Sequence, residues 1–309
     1  MTTDDQTLAG PLADTLADVH GAAPTGVLLL QLGTPDSTSV SDVRTYLREF
    51  LSDPRVLDIP APARALLLNA VILPFRPRRS AEAYEKIWTD EGSPLVLHTE
   101  ALAAGVQELL GDRFRVAYGM RYQNPPIEAA VTELTTAGCD RIVVLPLFPQ
   151  YASAAGGSAV EKALEVLGGR WNVPDVTTIG AFYDDPGFLS AAAAIARPLV
   201  EDFGPDHVLF SYHGLPEKQV KKSDVSGSWC LASDTCCDRI VEANRFCYRA
   251  QCYATTRGLA AELGLEDGTY ETAFQSRLAG QKWIEPYTDK RFDRLHAEGV
   301  RRLAVLTPS

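Results

Sequence analysis

Short apolar runs alternate with longer amphipathic stretches along the whole chain. Apolar runs of this length indicate buried strands, and the segments between them carry the 3.6-residue period of helices that cover a parallel sheet. The pattern therefore predicts an α/β fold. The predicted strands are residues 26–33, 114–120, 141–149, 207–214, 270–277 and 301–308. The predicted helices are residues 41–53, 99–111, 126–138, 156–169, 185–204 and 254–264.

The chain has 309 residues, which is enough for two domains of roughly 150 residues each. Residues 1–25 contain four acidic side chains and no Lys or Arg, so we expect a disordered tail there. Strand and turn signals near residues 170–186 place the domain boundary. We expect a first domain over 26–180 and a second over 181–309, with a cysteine-rich insertion at about 220–252.

The formal net charge of −11 argues against a nucleic-acid partner, because such proteins usually carry a basic surplus. The N-terminus lacks the basic and apolar regions of a secretory signal, and no apolar run approaches the roughly 20 residues of a membrane span. We therefore expect a cytoplasmic protein, at most peripheral to the inner membrane.

Residues 65–79 place an apolar helical stretch before Arg76, Arg78 and Arg79. A core helix that ends in a solvated basic turn explains this pattern. So does an apolar lip flanked by cations, which suits a membrane surface or a flat apolar ligand that carries carboxylates.

His213 follows a strong strand directly, between Tyr212 and Gly214. Ligands of open α/β sheets bind beyond the carboxyl ends of the strands, where an imidazole can act as a base or a metal ligand near neutral pH. A histidine that only forms a hydrogen bond at a strand end is the competing interpretation. The G-x-G-x-x-G, P-loop and G-x-S-x-G motifs are absent from the sequence, which argues against dinucleotide binding and serine hydrolysis.

Five of the six cysteines lie within 23 positions, in the pattern C-x5-C-C-x9-C-x4-C. They are Cys230, Cys236, Cys237, Cys247 and Cys252. A reducing cytosol disfavours disulfides, and the lack of a C-x2-C pair weakens a zinc site without excluding it. Four thiolates can also hold a [2Fe–2S] cluster.

Several motifs resemble those of the ferrochelatase family, in the same order and at the same spacing over about residues 26–308. They are LLLQLGTPDSTSVSDVRTYLREFLSDPRVLDIP, RRSAEAYEKIWTDEGSPL, GMRYQNPPI, VVLPLFPQYASAAGGS, FSYHGLPEK and FQSRLAGQKWIEPYTD. The resemblance implies insertion of Fe²⁺ into a porphyrin as the substrate metal. It also implies two Rossmann-like, chelatase-like halves with the macrocycle in a cleft between them.

The resemblance also implies roles for single residues. His213 would face the porphyrin centre and accept pyrrole protons or coordinate the entering iron, and Arg121 would be a partner for a propionate. Residues 65–79 would form an apolar lip that contacts membranes. Met120 and Tyr122 would line the pocket with Arg121, and Tyr151 and Trp283 would be its walls or supports.

Leu32 bears on the porphyrin. Family members that act on coproporphyrin III often have Tyr before the Gly of the first-strand motif, whereas QLGTP has Leu32, as in the protoporphyrin type. The resemblance therefore favours protoporphyrin IX, with coproporphyrin III as the alternative. The LREFLSDPRV and FQSR motifs disfavour a cobaltochelatase.

The cysteine segment is similar to the internal [2Fe–2S] segment of a bacterial subgroup of the family. The implied ligands are Cys230, Cys236, Cys237 and Cys247, with Cys252 as an alternate. The family also continues beyond RRLAVLTPS into a D-x-x-E-T-like stretch and a final helix. We therefore expect a fragment of a longer chain. A natural lack of that Glu would instead favour a non-catalytic porphyrin- or haem-binding protein.

Overall fold

The computed structural model describes residues 23–277 and 280–308. Most of the predicted acidic tail lies outside these residues, and Thr25 already begins the first strand. The strands in the described part are β1 Thr25–Gly33, β2 Phe114–Tyr122, β3 Arg141–Pro146, β4 Asp175–Thr178, β5 His207–His213, β6 Tyr270–Gln275 and β7 Leu303–Leu306. All their pairings are parallel, which confirms the predicted α/β fold with parallel sheets.

The helices of the described part lie between and beside these strands. They are α1 Val40–Ser52, α2 Ala61–Leu66, α3 Leu73–Glu85, α4 Pro94–Leu110, α5 Ile127–Thr136, α6 Ser158–Gly168, α7 Pro186–Phe203, α8 Glu217–Lys222, α9 Tyr248–Leu263 and α10 Thr288–Ala297. Residues Leu67–Ile72 form wider π-helical turns that join α2 to α3.

The chain divides into two compact units. Residues 23–147 together with Ser158–Ile179 form the first unit, and Phe148–Gly157 together with the described residues from Gly180 onward form the second. The sequence-based domains have a single boundary at 180/181, whereas the structure assigns the short segment Phe148–Gly157 to the second unit. That segment follows β3, which ends at Pro146 rather than at the expected residue 149.

The first unit is built on a four-stranded sheet in the order β2-β1-β3-β4. Its central strand β1 buries Leu28, Leu29 and Leu30 almost completely. Gly33 ends this strand at a φ of 107°, and a Cβ there would lie 1.9 Å from the Tyr122 carbonyl oxygen. Only glycine fits this approach of β1 to β2, which explains the glycine of the QLGTP motif.

The second unit is built on a three-stranded sheet in the order β6-β5-β7. The first six residues of β5 are buried and its last residue, His213, is exposed. β5 is thus the core strand of this unit, and it delivers His213 at its carboxyl end.

Several elements differ from the sequence-based prediction. Helix α9 begins at Tyr248 rather than 254, and α4 begins at Pro94 rather than 99, where proline is compatible with the first helical turn. The prediction gave no strand range for β4, although strand signals were noted near residues 170–186, and it omitted α8 and α10. β4 has only four residues, and α10 buries only Thr288 and Leu295, so neither shows a strong apolar period.

Residues 65–79 form the end of α2, the π-helical turns and the start of α3. Leu68, Leu73 and Pro77 are buried there, whereas Leu66, Val71 and Phe75 are exposed. No helix in the described part of the chain is both long and apolar enough to cross a membrane.

Candidate active site and cysteine segment

His213 is held by the backbone at the end of β5. It pairs with Gln275 of β6, and the following Gly214 N–H donates to the Gln275 carbonyl at 2.7 Å. A Cβ on Gly214 would lie 2.8 Å from that oxygen and 3.3 Å from the Trp283 ring. The glycine after His213 therefore lets the backbone and Trp283 close around the imidazole.

The tautomer of His213 follows from its hydrogen bond. Its Nδ1 lies 2.7 Å from the Gly214 carbonyl oxygen, which can only accept, so Nδ1 carries the proton. In the neutral ring Nε2 then presents a lone pair. The side chain reaches the surface, but the protein atoms around it lower the pKa of His213 by desolvation, against a smaller opposite effect of the Gly214 bond. At pH 7 the ring is accordingly a neutral base with Nε2 available.

The loop Lys282–Tyr287 lies beside His213. Ile284 N–H donates to the Leu215 carbonyl at 3.0 Å, and Trp283 pairs with Pro216 in an isolated antiparallel β-bridge. These bonds place the Trp283 ring centroid 6.3 Å from that of His213. The indole Nε1 is buried without a hydrogen-bond partner in the described residues.

A buried polar network in the first unit is centred on Asp53. Its Oδ2 accepts bonds from Arg121 Nη2 at 2.9 Å, from the Tyr122 hydroxyl at 2.8 Å and from the Ser158 hydroxyl. Its Oδ1 accepts from the Arg55 N–H at 2.7 Å. Burial raises the pKa of Asp53, but these bonds and the Arg121 charge outweigh it, so the pKa lies below its usual value. Asp53 is therefore ionised and binds Arg121 on the inside of the unit.

The porphyrin residues predicted on β2 and β1 differ in exposure. The side chains of Met120 and Tyr122 lie in the core of the first unit, with 1% and 0% of their surface exposed. Arg121 also donates from Nε to the Ser158 hydroxyl at 2.7 Å, and its guanidinium lies 4.5 Å from the centroid of the Tyr122 ring. Leu32 is half-buried. In this arrangement Met120 and Tyr122 support the strand and offer no surface to a ligand.

Tyr151 belongs to the second unit, where it is half-buried against α9 and the residues before it. Its backbone N–H donates to Gln251 Oε1 at 2.6 Å, and its ring centroid lies 5.8 Å from that of Phe246. The structure thus brings Tyr151 next to the cysteine segment, residues 224–252, which the sequence did not indicate.

Two polar side chains organise the cysteine segment. Asp224 accepts four backbone bonds, including those of Trp229 and Cys230 at 2.6 and 2.7 Å. Burial raises the pKa of Asp224, but the hydrogen bonds have the larger, opposite effect and lower the pKa to about 2. Asn244 is fully buried and donates to the carbonyls of Cys236 and Arg239, each at 2.9 Å. The segment is therefore an ordered loop with satisfied polar groups.

All five cysteines of the segment are buried free thiols. The Sγ atoms of Cys236 and Cys237 are 3.7 Å apart, well beyond the 2.05 Å of a disulfide. The thiols of Cys230 and Cys237 both interact with that of Cys247, so these four form one connected group. Cys252 is completely buried; its thiol bonds with Tyr248 rather than with another thiol, although it lies near enough to Cys237 to interact with it electrostatically. Among the described residues, no three His, Cys, Asp or Glu side chains converge on a single metal position.

Comparison with known proteins decides the family. The ferrochelatase family matches residues 24–309. A ferrochelatase of Coxiella burnetii (strain CbuK_Q154) is 46% identical over 284 residues, which cover 92% of this chain and 79% of the relative. A ferrochelatase of Legionella pneumophila (strain Corby) is 47% identical over 284 residues, covering 92% of this chain and 83% of the relative.

The chain belongs to the ferrochelatase family. The resemblance drawn from the motifs is thereby confirmed, and with it an enzyme that inserts iron into a porphyrin. Ferrous iron and a porphyrin are its substrates.

Sequence reasoning missed three residues of this ferrochelatase fold. Asp53 and Ser158 lie within the family motifs, but nothing local shows that they meet around Arg121. Arg249 was not singled out, although its guanidinium contacts both the thiols and the loop beside His213. A basic side chain within a cysteine cluster is the one signal that could have drawn attention to it.

Proposed function

We propose that the chain inserts Fe²⁺ into protoporphyrin IX, with His213 as the group that accepts pyrrole protons. A porphyrin must lose two N–H protons as a divalent ion enters, so a base that is neutral near pH 7 is needed beside the ring. The observation that carries this role is the bond from Nδ1–H to the Gly214 carbonyl, which leaves the Nε2 lone pair available. Turnover of protoporphyrin IX supplied in excess over the chain is the test.

The alternative role proposed for the same nitrogen is contact with the entering iron, because a neutral imidazole is a common metal ligand and its single lone pair cannot hold a proton and a metal ion at once. Trp283 is proposed as a wall of the porphyrin site because its ring packs beside His213. Tyr151 is proposed as a further wall. Leu32, in the position that distinguishes the porphyrin types, supports protoporphyrin IX.

Arg121 is proposed as the partner of a porphyrin propionate. Its Nε donates to Ser158 and its Nη2 donates to Asp53, and these two bonds fix the plane of the guanidinium. Nη1 takes part in neither bond. A fixed guanidinium loses little side-chain entropy when it binds a carboxylate. Met120 and Tyr122 would contribute indirectly, because their buried side chains hold β2, and with it Arg121, in place.

We further propose a [2Fe–2S] cluster in the cysteine segment. Such a cluster takes four thiolates, two on each iron, so it does not require three ligands around one point. The four thiols Cys230, Cys236, Cys237 and Cys247 form one connected buried group, as this binding mode needs. When bound, the cluster supplies a one-electron redox centre, and no step of iron insertion is assigned to it.

Iron and sulfide content tests the cluster. Chain purified without oxygen is expected to contain about two iron atoms and to show visible absorption, both lost in Cys237→Ser. Cys252→Ser is expected to keep both, because the Cys252 thiol bonds with Tyr248 and not with another thiol. Cys139→Ser in the first unit is the folding control. Zinc without iron or sulfide would overturn the cluster, and loss of iron in Cys252→Ser would overturn the ligand set.

We propose a cytoplasmic enzyme that contacts the inner membrane through residues 65–79. Leu66, Val71 and Phe75 are exposed there next to three arginines, which suits a surface of anionic lipid. Phe75→Glu is expected to weaken binding to anionic lipid vesicles by about tenfold or more, since burying a Phe side chain contributes about 1.5–3 kcal/mol. Trp171→Glu, which changes an exposed aromatic residue elsewhere in the first unit, should bind as the wild type does. Equal vesicle binding by Phe75→Glu and the wild type would exclude the contact.

A further inference from the structure

Arg249, in the first turn of α9, contacts four residues within the second unit. Nη1 lies 3.1 Å from Cys237 Sγ and 4.0 Å from Cys236 Sγ. Nε donates to the Glu285 carbonyl at 3.1 Å. Nη2 donates to the Tyr253 hydroxyl at 3.2 Å, and the guanidinium lies 4.8 Å from the centroid of the Tyr253 ring. One planar group thus joins the thiols to the loop Lys282–Tyr287.

The charge of Arg249 needs a partner. The side chain is half-buried, and no carboxylate of the described residues lies within ion-pair distance of it. A partly desolvated cation is costly unless a negative charge or strong acceptors compensate it. The Glu285 carbonyl and Tyr253 supply neutral acceptors, and the groups in place to supply a negative charge are the sulfur atoms of Cys236 and Cys237. Metal-bound thiolates would supply the charge that neutral thiols lack.

The carbonyl that Arg249 binds belongs to the loop beside His213. Glu285 comes directly after Trp283 and Ile284. The Trp283 ring packs beside the His213 ring, and the Ile284 N–H donates to the Leu215 carbonyl. On the other side, the Pro286 carbonyl accepts from Phe274 N–H at 2.8 Å. Arg249 therefore holds the middle of a short loop whose two ends are fixed to β5 and β6.

We propose that Arg249 is a positioning residue that couples metal ligation at Cys236 and Cys237 to the placement of Trp283 beside His213. The inference rests on the cluster proposed above. With ligated thiolates, the N–H to sulfur bond is charge-assisted and keeps Nε aimed at the Glu285 carbonyl. Without ligation the guanidinium loses its counter-charge, and its hold on the loop weakens. The cysteine segment thereby supports iron insertion through structure rather than through chemistry.

Lysine cannot replace this arrangement. Its ammonium is a single point charge, whereas the guanidinium presents separate N–H groups in fixed directions to the sulfur and the carbonyl. Arg249→Lys is therefore expected to retain the cluster but to lose the bond that holds the loop Lys282–Tyr287 in place. Arg249→Gln is expected to weaken both the cluster and the hold on the loop. Arg245→Gln is the matched control, because Arg245 pairs with Glu242 and stacks on Phe246 near the same cysteines.

Hydrogen exchange of the Ile284 amide, visible absorption of the cluster, and kcat and KM for protoporphyrin IX test the proposal. In Arg249→Lys we expect cluster absorption like the wild type, about tenfold faster exchange at Ile284, and about tenfold lower kcat, since small misplacements near reacting groups are costly. We expect the same increase in exchange in wild-type chain stripped of iron. Arg245→Gln should match the wild type in every measurement.

Wild-type exchange and wild-type kcat in Arg249→Lys and Arg249→Gln would overturn the positioning role. Unchanged exchange at Ile284 on removal of iron would overturn the coupling. If the wild-type chain holds no iron, the cluster and the coupling both fail. The positioning role is still decided in that case, by comparing Ile284 exchange in the wild type and Arg249→Gln with free thiols.

Discussion

His213→Ala is expected to lower kcat for iron insertion by about 10²–10⁴-fold, the usual contribution of a positioned general base. The side chain stands at the exposed end of β5, so its removal leaves the buried part of the strand intact. The measurement is haem formation from protoporphyrin IX and Fe²⁺ without oxygen, with circular dichroism to verify the fold. His98→Ala, in an exposed part of α4, is the control and should retain wild-type kcat. A wild-type rate in His213→Ala would contradict the assignment.

The pH dependence of the wild type bears on the same residue. Desolvation lowers the pKa of His213, so the acid limb of kcat/KM is expected to have its midpoint below about 6.5, the ordinary value for histidine. Activity is lost as the pH falls through that midpoint, because the protonated ring has no lone pair at Nε2. An acid limb centred above pH 7 would speak against His213 as the base.

Asp53→Ala is expected to lower the free energy of unfolding by about 3–5 kcal/mol, the usual cost of removing one partner of a buried ion pair. The variant leaves the Arg121 charge uncompensated and removes the acceptor of the Tyr122 and Ser158 hydroxyls. Denaturant unfolding measures the loss. Asp112→Ala is the control; its carboxylate is exposed and lies 3.9 Å from Arg115, so a change within about 0.5 kcal/mol is expected.

A loss of less than about 1 kcal/mol in Asp53→Ala would mean that the network contributes little to stability. The network also has a pH signature. Because the folded pKa of Asp53 lies below its unfolded value of about 3.9, its contribution is present above that pH and is lost as the pH falls through the folded pKa.

The fold was largely predictable because buried parallel strands appear in the sequence as continuous apolar runs. Six predicted strands coincide with β1, β2, β3, β5, β6 and β7. β4 was indicated only by strand signals without a range, because Val176 is its only large apolar residue, and α10 was not predicted because its apolar stripe is too narrow. The segment Phe148–Gly157 belongs to the second unit because of long-range packing, which a local sequence pattern cannot reveal.

The site was predictable only in part. His213 was indicated by its position at a strand end, but its tautomer depends on the Gly214 carbonyl, whose direction is set by the pairing with Gln275. Asp53 meets Arg121 and Ser158 across 68 and 105 positions of chain, and spacing cannot reveal such a contact. The sequence also did not determine which four of the five clustered cysteines would be the cluster ligands. The connected thiols favour the set without Cys252, which remains a prediction.

Haem formation under multiple turnover is the most direct measurement of the central claim. Wild-type chain is mixed without oxygen with Fe²⁺ and a large excess of protoporphyrin IX, and the porphyrin absorption is followed at pH 7. We expect complete conversion to haem, with many porphyrins metallated per chain and two protons released for each. Binding of a single porphyrin per chain, with its metal-free spectrum unchanged, would contradict it.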